Sequence, residues 1–137
     1  MISTNKSNVE FEVETGSHEA FIDVTGLVSE AVSQSGVCDG VCVVYVPHTT
    51  CAVTVNENAD PDVQADILAS LRSQVGDVGF THVEGNSAAH VKSSLFGCSQ
   101  SFLVEGGRLV LGRWQGIFLC EFDGPRRRRL LVKVLGV

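Results

Sequence analysis

Positive charge is scarce in this chain. Its 137 residues carry 10 Lys+Arg against 16 Asp+Glu, a formal net charge of −6. Binding to DNA or RNA runs on a net basic surface, so general nucleic-acid recognition is not expected. Cysteine occurs five times (Cys38, Cys42, Cys51, Cys98 and Cys120), an odd number with no CxxC or CxC pair. That argues against a disulfide framework and against a zinc ribbon. Most of these cysteines sit inside apolar runs, where a free thiol behaves as a small hydrophobe. No apolar run approaches the ~20 residues of a membrane span, so no membrane partner is expected. The opening M-I-S-T-N-K-S-N has no apolar signal-peptide region, and the cytoplasm is the expected compartment. GxSxG and HExxH are both missing, which leaves an elbow serine hydrolase or a zincin without support. The chain is also far shorter than the ~250 residues of a TIM barrel. There is no internal repeat, low-complexity segment or linker.

What is present is apolar matter, 44% of residues, enough for one domain with a real core. The apolar surplus points to subunit interfaces. Residues 1–7 read as a flexible polar leader. Val9–Thr15 alternates apolar and charged residues as a half-exposed edge strand. Thr25 is placed to cap a helix running to about Gln34, with Leu27, Val28, Ala31 and Val32 on one face and Ser35-Gly36 ending it. Val41–Val46 and Cys51–Val55 read as buried strands around the link Pro47-His48-Thr49-Thr50. Asp60 caps a second helix that has Pro61 first and an apolar stripe of Val63, Ile67, Leu68 and Leu71. Residues 73–89 are rich in Gly, Ser and Asn and read as loop, with a helical turn over 88–95. Strands are predicted over 99–104, 108–112, 115–122 and 129–134, with Gly106-Gly107 turning the first into the second. The fold class is therefore α+β: a compact single domain of mostly antiparallel sheet with two main helices.

Two polar groupings carry chemical interest. The first runs from Arg113 to Arg129, R-W-Q-G-I-F-L-C-E-F-D-G-P-R-R-R-R. Gln115, Glu121 and Asp123 lie on a strand-like run that meets a Gly124-Pro125 turn and four arginines. Carboxylates beside guanidinium groups make sense if they pair or hold an anion such as phosphate. In a strand the arginines alternate, so Arg126 and Arg128 share one side and Arg127 and Arg129 the other. One side is expected to pair with Glu121 or Asp123 or to bind phosphate, the other to be solvated. Trp114-Gln115 fits either stacking on a flat ring or an ordinary core position.

The second grouping is His48, His82 and His90 with Asn56, Glu57 and Asp60. His82, Asn86 and His90 are spaced four apart, although Gly85 argues for a loop folding back rather than one helix. Three imidazoles plus an acid are a usual set for a zinc-like ion with an open position, and equally for histidines that only satisfy loop backbone. Glu57 is a candidate base or metal ligand, or one half of a structural salt bridge. Asp60 and Asp62 are explained by a helix start and Asp66 by a polar helix face. His18 reads as solvated surface. Ser93 and Ser94, with Lys92 beside them, are candidate anion donors. Together these groups point to a small enzyme rather than a bare scaffold.

At three places the chain resembles the YjbQ family. P-H-T-T-C-A-V-T-V-N-E-N-A-D is similar to its H-T-T segment with N-E and D. H-V-E-G-N-S-A-A-H-V-K-S-S-L-F-G is similar to its H-x-x-x-N-x-x-A-H segment, and G-R-L-V-L-G-R-W-Q-G-I-F-L-C-E-F-D-G-P-R-R-R-R to its G-x-L-x-L-G-x-W-Q segment ending in D-G-P-R. The three follow the family's order and span nearly the whole chain. Phe80 stands where the family often has tyrosine or tryptophan, and Cys51 where it commonly has alanine.

The resemblance implies a homo-oligomer, a trimer, with a weak thiamine-phosphate synthase activity on a small phosphorylated substrate. That reaction joins an aminopyrimidine diphosphate to a thiazole phosphate and releases pyrophosphate. Carried over by position, His48, Glu57, His82, His90 and Asp123 are the expected catalytic residues. Asn56, Asn86, Gln115 and Arg126, together with Ser93 and Ser94, are expected at the substrate phosphate. A divalent ion, zinc or magnesium, is expected on His48, His82, His90 and Asp60, with no organic cofactor. Glu121 belongs to the same carried-over set. Metal-dependent hydrolysis of a phosphorylated small molecule and non-enzymatic metabolite binding are the competing readings.

Overall fold

The computed structural model describes residues 3–4, 7–76 and 79–137. Two antiparallel sheets and three helices build it among those residues. β1 (Ser3–Thr4), β2 (Asn8–Glu14), β4 (Gly40–Tyr45), β6 (Ser99–Glu105), β7 (Arg108–Leu109) and β9 (Arg127–Gly136) form a six-stranded sheet in the order β1-β2-β9-β4-β6-β7. β3 (Ala20–Asp23), β8 (Gln115–Glu121) and β5 (Cys51–Glu57) form a three-stranded sheet in the order β3-β8-β5. The helices are α1 (Thr25–Ser35), α2 (Pro61–Gln74) and α3 (Ser87–Phe96).

Alternation decides what faces inward. In β9, Arg128, Leu130, Val132 and Val134 are buried while Arg127, Arg129, Lys133 and Leu135 are exposed. The inward residues of the large sheet meet Val53, Ile117 and Leu119 of the small sheet and Val28, Ala31 and Val32 of α1 in one core. The small sheet's other face, Ala52, Phe118 and Cys120, packs with Phe122 under Leu71 of α2 and Ala89 of α3 in a second core. The layers thus run large sheet, small sheet, then α2 with α3. Among the described residues no helix packs over the outward face of the large sheet. Truncating a fully buried side chain such as Phe118 to alanine costs about 3–5 kcal/mol.

Several elements differ from the sequence reading. Ser3–Thr4, within the expected leader, pairs with β2, while residues 1–2 and 5–6 lie outside the described set. Thr25 does not cap α1: the N-cap is Val24, with no side-chain cap, while Asp23 Oδ1 accepts the Thr25 N–H at 2.9 Å and Thr25 Oγ1 accepts the Ile117 N–H at 2.9 Å. A third full helix, α3, replaces the expected helical turn. Its inward positions Ala89, Lys92 and Ser93 keep helical spacing but hide it behind polar residues. β7 stops at Leu109, short of 112, and β9 begins two residues earlier than expected, at Arg127. Asp60 does cap α2, accepting the Asp62 N–H at 2.9 Å, with Pro61 at the first turn. Among the described residues no helix is long and apolar enough to cross a membrane.

Candidate functional site

The Arg-rich segment is organised by one buried ion pair. The Glu121 carboxylate is fully buried and accepts from Arg128 Nε at 2.8 Å and from Arg128 Nη2. It also accepts from Thr15 Oγ1 at 2.6 Å and from the Asp123 N–H at 3.1 Å. Arg128 Nη2 also donates to Thr50, to the carbonyl at 3.1 Å and to Oγ1 at 2.9 Å. Burial by itself would raise the Glu121 carboxyl, but the hydrogen bonds from Arg128 and Thr15 carry it below the usual range. A buried pair bonded in this way to Thr15, Thr50 and the Asp123 amide holds its surroundings in place; removing one member leaves an uncompensated charge.

Glu121 and its partner Thr15 grip the two ends of the turn that follows β8. Glu121 takes the Asp123 N–H, and Thr15 Oγ1 takes the Arg126 N–H at 2.9 Å. The Gly124–Pro125 peptide within the turn is cis. A Cβ on Gly124 would come within 2.2 Å of the Ser17 carbonyl oxygen, so no side chain fits there. The turn therefore projects Asp123 and Arg126 in a fixed pose. Arg126 donates from Nε to the Asp123 carbonyl at 2.8 Å and from Nη2 to Asp123 Oδ2 at 3.1 Å. Asn86 Nδ2 donates to the same Oδ2 at 3.0 Å. Burial would raise the Asp123 carboxyl, but Asn86 and Arg126 hold it low. Arg126 stays about half exposed, 53%, and so is open to a ligand.

Asn86 is also the residue before α3. Gly85, at φ 82°, bends the chain into the helix in a conformation side chains rarely adopt. The Asn86 side chain does not cap α3, and its Oδ1 is buried without a hydrogen-bond partner. Next to it opens a cavity of about 310 Å³ lined by His18, Glu19, Arg72, Asn86, Lys92 and Phe122, among others. Lys92 Nζ donates to Glu19 Oε2 at 2.6 Å and Arg72 Nη1 to Glu19 Oε1 at 3.1 Å. Two cations thus face one carboxylate in a pocket between the last turn of α2 and the first turn of α3.

The structure sorts the sequence candidates into groups. Asn86, Asp123 and Arg126 converge as described. His82 and His90 meet edge to face, ring centroids 5.7 Å apart, because the loop before α3 folds back. They line a separate, open depression of about 430 Å³ with Phe80 and Ser87. His48 sits close to the Glu121–Arg128 pair, yet its Nε2 accepts the Arg129 N–H at 2.8 Å. It thereby serves a β9 amide just beyond the last β4 partner, Tyr45 opposite Leu131. Burial and the Arg128 charge lower the His48 pKa, which suits a neutral acceptor.

Other candidates are engaged locally. Ser93, buried, donates to the Cys51 carbonyl at 2.9 Å, and Ser94 to the His90 carbonyl at 3.0 Å. Asn56 Oδ1 accepts the Glu57 N–H at 2.7 Å and Gln115 Oε1 the Gly112 N–H at 2.8 Å. Asn56, Glu57, Asp60 and Gln115 lie at the far end of the small sheet, since Glu57 pairs with Gln115 whereas Cys51 pairs with Glu121. Six strand steps, roughly 20 Å, separate the two ends. One chain therefore does not gather His48, His82, His90 and Asp60 around a common ion. Among the described residues no group of three or more His, Cys, Asp or Glu is placed to hold a metal.

Two further expectations change. Arg127 and Arg129 are not merely solvated: Arg127 pairs with Glu12 and Glu14, and Arg129 with Glu10. His18 is exposed as expected but borders the cavity, and with Glu19 and Arg72 it was missed as site material, whereas Lys92, expected beside Ser93 and Ser94, faces the cavity. The available signal was helical: Ala89, Lys92, Ser93 and Phe96 are spaced as one helix face, which turns Lys92 inward.

Comparison with known proteins agrees over this whole frame. A family profile described as UPF0047 protein YjbQ-like matches residues 9–137. The UPF0047 protein MJ1081 of Methanocaldococcus jannaschii is 50% identical over 92% of this chain and 92% of its own. The UPF0047 protein YugU of Bacillus subtilis is 45% identical over 91% of this chain and 96% of its own. A crystal structure of an uncharacterized conserved YjbQ/UPF0047-family protein from Clostridium acetobutylicum superposes with a TM-score of 0.91 at 53% identity, covering 93% of this chain and 99% of that one. A YbjQ-like protein of unknown function from Sulfolobus solfataricus does so with a TM-score of 0.91 at 33% identity, covering 95% and 96%.

Proposed function

The chain belongs to the YjbQ-like UPF0047 protein family, and on that premise we propose that it is a small enzyme acting on phosphorylated small molecules. The reaction is a transfer of the thiamine-phosphate synthase type, the one the sequence resemblance implies. The observation that carries this reading is the cavity beside Asn86, where Arg72 and Lys92 face a single carboxylate. In that reaction the carbon–oxygen bond of an aminopyrimidine diphosphate breaks, a bond to the thiazole nitrogen forms, and pyrophosphate departs. Its main demand is stabilisation of the departing charge by prearranged cations and dipoles. Arg72, Lys92 and the uncapped start of α3 supply positive potential within the cavity, and the half-exposed Arg126 is tied to its wall through Asp123 and Asn86. Asp123 orients Arg126 and Asn86 together. The residues expected to hold a divalent ion, His48, His82, His90 and Asp60, do not meet in one chain.

The proposed partners are a phosphorylated substrate and further copies of the chain, the trimer of the resemblance. The uncovered face of the large sheet supports self-association. Tyr45, Leu103 and Leu135 are 41%, 58% and 48% exposed there, and a depression of about 480 Å³ lined by Val43, Tyr45 and Leu131 lies between Glu10 and Lys133. On that face Glu10, Glu12 and Glu14 of β2 run beside Arg127, Arg129 and Lys133 of β9. Equal ranks of opposite sign let a second copy approach although each chain carries −6.

Product analysis tests the reaction. Incubation with both substrates is expected to release pyrophosphate together with the joined product. Inorganic phosphate released from one substrate alone would make the protein a hydrolase. Tight binding with no product from either would make it a binder.

A further inference from the structure

Glu19 occupies an unusual position for a surface-turn carboxylate. It lies between β2 and β3, following the exposed Gly16, Ser17 and His18, yet its side chain is only 9% exposed. Its two oxygens are divided between two helices: Oε1 receives Arg72 of α2 and Oε2 receives Lys92 of α3. Lys92 is itself 7% exposed and projects from the inward face of α3. All three line the cavity of about 310 Å³ that reaches Asn86 and Phe122. Burial would raise the Glu19 carboxyl, but hydrogen bonds from Lys92 and Arg72 hold it down, so it is ionised at neutral pH.

A carboxylate bridging a guanidinium and a buried ammonium inside a cavity makes the contacts that a phosphate oxygen would make with the same two cations. We propose that Arg72 and Lys92 form the phosphate-holding subsite of this cavity and that Glu19 is its resident competitor. An incoming phosphate monoester or pyrophosphate displaces the Glu19 side chain toward solvent. This inference rests on the reading of the cavity as a phosphorylated-ligand site, and adds which residues hold the anion and what it must displace. Two features make displacement feasible. Glu19 is carried by a surface turn rather than by a strand or helix. A phosphate dianion also brings twice the carboxylate's charge to the two cations, one from the last turn of α2 and one from the middle of α3, which favours the exchange.

The test is calorimetric titration of inorganic pyrophosphate and inorganic phosphate into the wild-type protein, Glu19→Gln, and Glu19→Gln combined with Lys92→Met. Pyrophosphate is expected to bind Glu19→Gln at least ten-fold more tightly than wild type, with the gain abolished by Lys92→Met. Equal or weaker binding by Glu19→Gln, with wild-type binding intact, overturns the competitor role and leaves the phosphorylated-ligand reading standing. Absence of binding in every variant overturns both. Circular dichroism confirms folding. Should Glu19→Gln fail to fold, Glu19→Asp, whose shorter reach withdraws the carboxylate from one cation, is expected to gain about three-fold, and no gain there is equally decisive.

Discussion

Asn86 and Asp123, 37 residues apart, are joined by one hydrogen bond of 3.0 Å from Nδ2 to Oδ2. That bond ties the first residue of α3's approach to the turn after β8. Asn86 borders the cavity with Lys92 and Arg72, and Asp123 orients Arg126 through a second bond to the same oxygen. The buried Glu121–Arg128 pair fixes the turn from beneath, so a core interaction sets the pose of an exposed guanidinium.

If Arg126 contacts the substrate's phosphate, Arg126→Ala should leave the melting temperature nearly unchanged. Its side chain is half exposed, and its ion pair with Asp123 is a surface one. Affinity for a phosphorylated ligand should fall by about 1.5–3 kcal/mol, the size of one charge-assisted contact. Calorimetric titration checks this, and unchanged affinity counts against the role.

Breaking the buried pair should be far more damaging. Arg128→Met leaves Glu121 charged and fully buried, at an expected cost of about 3–5 kcal/mol in urea unfolding. Adding Glu121→Leu should recover much of that loss, since the stranded charge is gone. A double variant no more stable than the single one would show that the pair is not the main cause.

Acid should weaken the same pair. The folded-state pKa of Glu121 is lowered, so its stabilisation is fully present above the ordinary carboxyl value of about 4.3 and is lost as pH falls through the lowered folded value. Asp123, also lowered, acts in the same sense. The stability advantage of wild type over Glu121→Gln should be flat from pH 7 to about 5 and shrink below about 4.3. Unfolding midpoints measured across that range check the sign. A gap that widens on acidification would contradict it.

Self-association through the uncovered sheet face implies that Tyr45→Asp together with Leu135→Asp yields a monomer that remains folded, because both side chains are outward and exposed. Sedimentation equilibrium reads this directly. An unchanged oligomer, or a wild-type protein that is already monomeric, removes that interface.

Much of the architecture was legible because burial writes itself into period. α1 and α2 show apolar stripes, and the alternation of the arginines placed Arg128 and Arg127 on opposite sides of the strand, though not which of them turns inward. α3 was read as a turn because Lys92 and Ser93 occupy inward positions that a hydrophobic pattern leaves blank. β3 escaped notice because Ala20–Asp23 is four residues with no alternating burial. The site was half legible. Motif spacing singled out Asn86, Asp123 and Arg126, which do converge, but spacing carries no information on which end of a strand a residue occupies. Glu57 and Gln115 therefore looked like neighbours of Asp123 and lie a strand's length away. Arg72 and Glu19 were invisible as a unit, since 53 residues separate them and only the packing of α2 against the turn before β3 brings them together.

The most direct measurement of the central claim is a crystal structure of the protein soaked in pyrophosphate. The anion is expected in the cavity beside Asn86, within hydrogen-bonding distance of Lys92 and Arg72, with the Glu19 side chain turned away. An ordered anion held elsewhere, with Glu19 still bridging both cations, would contradict the account.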